Sequence, residues 1–98
     1  MSFEDFIRSL KVEAPPEDIS DALSALWHAK KGNWDTSHSI AQEIHSTLGS
    51  WIHAVLHRQE GDLSNAHYWY NRANKVKSSG SINDELNGLI QFILEEVE

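Results

Sequence analysis

The chain has 98 residues, of which 40% are apolar, and it carries a formal net charge of −7 without a single cysteine. This length fits one domain with a modest core, and the lack of cysteine excludes disulfides, thiolate metal sites and cysteine nucleophiles. Only eight residues are Lys or Arg, so nucleic-acid binding, which needs clustered cations, is not expected. We see no signal peptide or membrane span, so a cytoplasmic protein without membrane contact is expected.

The first half of the chain predicts three helices. Ser2 is expected to cap the first, whose apolar residues share one face. Pro16 suits the first position of the second helix, which is predicted to stop at Gly32. The third helix is predicted to run from about Trp34 to Ser46.

The second half predicts three more helices. A turn at 47–50 leads into the fourth helix, which stops at Gly61. Asp62 is expected to cap the fifth helix, and a loop at 77–80 precedes the sixth, which Ser81 opens. No segment alternates with a period of two residues, so no sheet is predicted.

A repeat links these helices in pairs. The stretch that begins at Ala25 recurs 29 residues later at Ala54, with glycine at the matching positions Gly32 and Gly61. Self-similarity at this period is typical of helical hairpins that stack side by side.

The predicted fold is therefore a single all-α domain of stacked antiparallel helical hairpins. Repeat one covers 17–46 and repeat two covers 48–76. An N-terminal helix within 1–14 and a C-terminal capping helix within 81–98 are expected to cover the ends of the stack, because an uncovered end would leave apolar faces in water.

The second repeat resembles the tetratricopeptide motif in its turn and in the small and large residues of its second helix. The matching residues are Gly61-Asp62-Leu63-x-x-Ala66-x-x-x-Tyr70-x-x-Ala73. The first repeat departs from the pattern at Asn33, Ser37 and Ile44, and neither repeat has the closing proline. The resemblance implies paired helices that approach closely at the small residues.

A longer string is similar to one shared by a group of small, mostly bacterial proteins without an assigned activity. It reads Trp51-Ile52-His53-Ala54-x-Leu56-His57-Arg58-x-Glu60-Gly61-Asp62-x-x-Asn65-Ala66-x-Tyr68-Trp69-Tyr70-x-Arg72-Ala73. This likeness supports the helical fold and implies no chemistry.

Histidine is the residue type that most suggests a site. His53 and His57 are four residues apart and project from one side of the fourth helix, which is a common half of a metal site. A third ligand is expected from His28, Glu60 or Asp62, and the metal would be a divalent ion such as zinc. The alternative interpretation is that these histidines are structural and only fill hydrogen bonds at a helix interface.

Little in the sequence favours an enzyme. There is no G-x-S-x-G motif and no glycine-rich phosphate loop. The carboxylate pairs Asp84/Glu85 and Glu95/Glu96 are expected to lie on solvated helix surfaces. The preferred hypothesis is a protein- or peptide-binding scaffold without a cofactor, and the alternative is a metal-binding or hydrolytic protein that uses His28, His53 and His57.

Partner binding would use aromatic and arginine anchors, since these residues dominate binding energy at interfaces. The candidate residues are Trp51, Arg58, Asn65, Tyr68 and Arg72.

The last helix suggests a second partner, another copy of the chain. Its apolar stripe is wide for a terminal cap: Ile82, Leu86, Leu89, Ile90, Ile93, Leu94 and Val97. Leaving such side chains in water is costly, so either a two-fold homodimer or the N-terminal helix is expected to cover part of the stripe.

Overall fold

Six α-helices follow one another in the described part of the chain, and none of its residues forms a strand. The computed structural model describes residues 1–77 and 80–97, with the backbone alone for residues 96 and 97. The helices are α1 (Phe3–Ser9), α2 (Asp21–Lys30), α3 (Trp34–Ala41), α4 (Thr47–Glu60), α5 (Leu63–Ala73) and α6 (Ile82–Val97). The all-α prediction is confirmed. None of these helices is long and apolar enough to cross a lipid bilayer.

Part of two predictions lies outside the described residues. The predicted loop at 77–80 includes Ser78 and Ser79, and the predicted C-terminal segment includes Glu98, none of which is described.

Three helix starts follow the predicted capping residues. The side chains of Ser2, Asp62 and Ser81 each accept a hydrogen bond from the backbone N–H three residues further on, at 3.0–3.2 Å. Such a cap satisfies one of the free N–H groups in the first turn and is worth about 1 kcal/mol. These three predictions are confirmed.

The predicted start of the second helix is wrong. Helix α2 begins at Asp21 and not at Pro16, because Ser20 adopts an extended backbone and its side chain accepts the N–H of Leu23 at 3.2 Å. A serine cap directly before the apolar stripe is a stronger start signal than a proline several residues earlier.

The boundary between the third and fourth helices is also corrected. Helix α3 ends at Ala41, and the segment predicted as a turn at 47–50 is the first turn of α4, which Ser46 caps. Gly49 is therefore a helical residue. A Cβ atom at this position would collide with the backbone carbonyl oxygen of Ile44, so glycine allows the connection between the helices to approach α4 closely.

The two predicted hairpins are present and stacked. Helix α2 packs on α3, α4 packs on α5, and α3 packs on α4. Gly32 and Gly61 stand at the two hairpin turns with φ of +83° and +89°. Residues with a side chain rarely adopt this backbone conformation, so glycine ends both first helices, as the repeat predicts.

Helices α1 and α6 complete the core. Helix α6 packs against α2 and α4, and α1 packs against α6. The repeat-related residues Trp27 and Leu56 are both fully buried in this core. The repeat residue Leu63, by contrast, has a side chain that is 58% exposed, because it occupies the first position of α5, at the open end of the hairpin turn.

The apolar stripe of α6 is covered by the chain itself. Five of its members are buried in the single chain: Leu86, Leu89, Ile90, Ile93 and Leu94. Ile82 packs against the same core, and the side chain of Val97 is not described. The homodimer remains a prediction, but the described part of this stripe no longer gives a reason for it.

Candidate metal centre

Helix α4 carries polar or aromatic anchor residues on two of its faces. His53 and His57 contact residues of α3 and α5, whereas Trp51 and Arg58 contact α6. Spacings of four and seven residues return to the same side of a helix. The sequence therefore separates these residues into two groups with different neighbours.

The first group meets a histidine from α3. The Nε2 atoms of His38 and His53 are 2.8 Å apart, and the two rings meet edge to face. The ring of His57 lies 5.4 Å from that of His38 and 5.2 Å from that of His53. One ring nitrogen from each residue lies within 4.8 Å of the other two. We call His38, His53 and His57 the histidine cluster.

Two tryptophans fix the rings of this cluster. Trp34 stacks on His38 with ring centroids 4.7 Å apart, and Trp69 stacks on His53 at 4.0 Å with parallel rings. The indole N–H of Trp34 donates to the carbonyl oxygen of Leu56 at 2.7 Å, which holds that indole in place. Stacked aromatic neighbours restrict the χ angles of the imidazoles, so the rings of the cluster can make only small rotations.

A carboxylate orients the third imidazole. His57 Nδ1 lies 2.7 Å from Oε2 of Glu60, one turn further along α4. A carboxylate can only accept here, so Nδ1 carries the proton and Nε2 is left with a free lone pair. Metal-binding histidines commonly have such a carboxylate on the other ring nitrogen, because it fixes the tautomer and raises the basicity of the ligand atom.

The cluster favours neutral imidazoles. Burial, and to a smaller extent the neighbouring His38 and His57, lower the pKa of His53 to about 4. Burial and His57 also lower the pKa of His38, against the opposing charges of Glu60 and Asp35. Both rings are therefore uncharged at neutral pH, which is the form that binds metal.

The donor set suits a borderline transition metal. Three imidazoles without a thiolate match zinc, copper or nickel better than calcium or magnesium, which prefer oxygen. Two ligands of tetrahedral zinc with Zn–N bonds of 2.0–2.1 Å lie about 3.3 Å apart, so His38 and His53 would separate by about half an ångström on binding. Rotation of two side chains supplies a shift of this size.

His28 does not belong to the cluster, although the sequence suggested it as the third ligand. Its Nδ1 is 3.4 Å from the side-chain amide of Asn33, and its ring packs against Trp27. His38 is the residue that the sequence reasoning missed. The signal was present, because the second helix of one stacked hairpin packs on the first helix of the next, which brings α3 to the histidine face of α4.

The other suggested third ligands, Glu60 and Asp62, also lie near His57. One oxygen from each carboxylate and a ring nitrogen of His57 are all within 4.8 Å of one another. Asp62 is already used to cap α5, and Glu60 already holds Nδ1 of His57. These two carboxylates therefore support the helix and the imidazole that they contact.

The second group on α4 is bound into the interior. Arg58 forms an ion pair with Glu85 at 2.7 Å, and Trp51 donates its indole N–H to the same carboxylate at 3.2 Å. The hydroxyl of Tyr70 lies 2.7 and 2.8 Å from the two oxygens of Glu85. We call Trp51, Arg58, Tyr70 and Glu85 the Glu85 cluster.

The Glu85 cluster corrects one expectation. The side chain of Glu85 is 4% exposed and that of Arg58 is 12% exposed, so Glu85 is not a solvated surface carboxylate. Burial raises the pKa of the Tyr70 hydroxyl above its ordinary value, and the hydrogen bond to Glu85 and its charge raise it further.

The remaining suggested partner residues lie on or near the surface of α5. Tyr68 is 51% exposed, and its hydroxyl accepts a hydrogen bond from Arg72, also exposed, at 3.2 Å. Asn65 is half-buried, and its backbone N–H is held by the Asp62 cap. Of the five suggested anchors, Trp51 and Arg58 are engaged by Glu85, and Tyr68 and Arg72 face solvent.

Comparisons with known proteins give no information on function. The chain matches no family model, and neither the curated proteins nor the solved structures gave a significant match. The resemblance to tetratricopeptide repeats therefore rests on the sequence pattern alone.

Proposed function

We propose that this protein binds a divalent transition-metal ion, with zinc as the best fit, through His38, His53 and His57. The observation that carries the proposal is the convergence of one nitrogen from each of three imidazoles within 4.8 Å. His53 and His57 are each only 6% exposed. A buried polar side chain with a structural role usually forms its hydrogen bonds with the backbone or with water. Among the described residues, the hydrogen-bond partner of His53 is another imidazole.

The second support is the way in which the cluster is held. Each ring has a separate partner that fixes it: Trp34 for His38, Trp69 for His53 and Glu60 for His57. Metal affinity depends on such outer partners, whose loss typically costs about tenfold to a hundredfold. A chance contact between histidine side chains would not need a separate fixing partner for each of the three rings.

Zinc titration of untagged, chelator-treated protein tests the proposal. We expect 1:1 binding by calorimetry and a rise in the free energy of unfolding of about 2.7 kcal/mol when free zinc is a hundred times Kd. His38→Ala and His53→Ala should each abolish most of this gain, because each removes one of three ligands.

Two histidines outside the cluster are matched controls. His28→Ala and His67→Ala should leave the zinc effect unchanged, since His28 contacts Asn33 and His67 contacts Asn71. Loss of binding in His28→Ala but not in His38→Ala would contradict the assignment. Absence of any zinc effect on the wild-type protein would overturn the proposal itself.

Protein or peptide binding remains a prediction. Tyr68 and Arg72 are the suggested anchors that stay exposed, and an aromatic residue next to an arginine is typical of interface anchors. The engagement of Trp51 and Arg58 by Glu85 leaves a smaller surface for a partner than the sequence suggested.

A further inference from the structure

A cleft opens beside the histidine cluster. Its volume is about 330 Å³, and it lies between the α3–α4 connection, the first turns of α4 and one side of α5. The residues that line it are Ala41, Gln42, Ile44, His45, Ser46, Thr47, Ser50, His53, Trp69 and Arg72. His53 belongs both to this cleft and to the histidine cluster.

The charge of the cleft is opposite to that of the protein. The chain has 15 acidic residues and a net charge of −7, yet none of the described residues that line the cleft carries a carboxylate. Among these described residues the permanent charge is the guanidinium of Arg72, and the other titratable side chains are those of His45 and His53. A cleft with positive charge and without carboxylates favours an anionic ligand.

Arg72 is held in place without an anionic partner. Its guanidinium lies 5.3 Å from the ring centroid of Trp69 and 5.8 Å from that of Tyr68, and it donates to the Tyr68 hydroxyl. It forms no ion pair with a carboxylate of the described residues. A guanidinium has five N–H donors in a rigid fork, so most of its donors remain available at a position fixed by two aromatic rings.

Polar groups of α4 add donors at the same place. Thr47 and Ser50 line the cleft with hydroxyl groups. Helix α4 also begins here, and its first turn contains no acidic residue, so the positive end of the helix dipole is not neutralised.

We propose that this cleft binds a small oxyanion, a phosphate or a carboxylate, with Arg72 as its anchor. The inference goes beyond metal binding, because Arg72 and the α4 hydroxyls do not depend on a metal. One further part rests on the proposed function: a divalent cation bound to His53 places positive charge at the cleft wall and strengthens oxyanion binding. By linkage, the oxyanion then strengthens metal binding by the same factor.

Calorimetry with inorganic phosphate and, separately, with acetate tests the cleft in the metal-free protein. We expect the wild-type protein to bind at least one of them with a Kd of about 1 mM or tighter, and the two arms identify the class of oxyanion. Arg72→Gln should weaken binding by at least about tenfold, and Arg72→Lys should retain part of it because the charge stays while the fork is lost.

Arg8→Gln is the control, since Arg8 is an exposed arginine of α1 that pairs with Asp5 and does not line the cleft. It should bind the oxyanion as the wild type does. The melting temperature of each variant confirms that it is folded, which is expected for two exposed positions. Equal affinity in the wild type and Arg72→Gln, or no binding of either anion, would overturn the inference.

The same titrations with stoichiometric zinc separate this inference from the metal site. If zinc binds but does not tighten oxyanion binding, the coupling is wrong. If zinc does not bind at all, the proposed function fails, and the metal-free titration still decides whether the cleft holds an oxyanion.

Discussion

The two polar clusters on α4 are built from similarly buried groups but are completed in different ways. In the Glu85 cluster, the two carboxylate oxygens contact an arginine, a tyrosine hydroxyl and an indole N–H. In the histidine cluster, three imidazoles face one another, and a carboxylate, that of Glu60, contacts the outer nitrogen of His57.

This difference separates a structural site from a candidate functional one. A buried carboxylate whose charge is balanced by a cation, and whose two oxygens accept hydrogen bonds, needs no ligand to be satisfied. In the neutral form, three imidazoles would offer more acceptor nitrogens than their own hydrogen bonds use. The first arrangement is complete without any other molecule, and in our proposal a metal ion completes the second.

The largest expected effect follows from breaking the Glu85 cluster. Glu85→Ala should lower the free energy of unfolding by about 3–5 kcal/mol, because it leaves the Arg58 charge buried and unpaired. Tyr70 and Trp51 also lose their partner. Urea unfolding followed by circular dichroism measures the change.

Glu95→Ala is the matched control on the same helix, since Glu95 is exposed and its removal should change stability by less than about 0.5 kcal/mol. Under conditions where Glu85→Ala remains folded, it should still bind zinc as the wild type does. A loss of zinc affinity in the folded variant would mean that the two clusters are coupled and not separate.

The histidine cluster should instead be sensitive to acid in the metal-free protein. The folded-state pKa of His53 is about 4, below its unfolded value of 6.5. The unfolded state therefore binds more protons between these pH values, and stability is full above pH 6.5 and falls as the pH drops towards 4. The expected loss is about 2–3 kcal/mol.

Urea unfolding from pH 7 to pH 4 in the presence of a chelator measures this loss, with His53→Gln as the control. The charged and titratable groups around the site are His38, His57, Glu60 and Asp35. They remain in the variant, so the difference between the two profiles reports mainly on His53. Identical profiles would show that His53 takes up its proton in the folded protein without cost.

The helices and the core were predictable from the sequence, and so were two of the three histidines of the candidate metal site. The apolar period of 3.6 residues gives each helix, and the glycine repeat gives both hairpin turns. His53 and His57 were recognised because their spacing on one helix is visible in the chain. The prediction of the two hairpin-turn glycines needed no tertiary information, since their backbone conformation alone favours glycine.

Apart from the start of α2, the errors occur where the role of a residue depends on packing. The sequence predicts Gly49 as a turn residue. Its actual role, to allow the close approach of Ile44, depends on packing. His38 was missed as a member of the cluster, and Glu85 was placed on the surface, for the same reason. His38 and Glu85 meet their partners across a helix interface, and no local pattern distinguishes such a residue from a solvated one.

The smallest expected effect concerns alkaline pH and the Glu85 cluster. The pKa of Tyr70 is raised in the folded state, so its contribution is full below the unfolded pKa of about 10 and is lost as the pH rises towards the folded value. The wild type should lose about 1.4 kcal/mol of stability per pH unit above pH 10 through this group.

Tyr70→Phe provides the comparison, because it keeps the ring and removes the titrating hydroxyl. At pH 8 the variant should be less stable than the wild type, since a buried hydrogen bond to a charged carboxylate contributes about 1.5–3 kcal/mol. That difference should shrink between pH 9 and pH 11, whereas His53→Gln should leave the alkaline profile unchanged. A constant difference between wild type and Tyr70→Phe across this range would mean that the folded protein releases the Tyr70 proton as easily as the unfolded chain, and that the cluster is open to water. The Glu85 cluster could then no longer be contrasted with the histidine cluster as a closed, purely structural site.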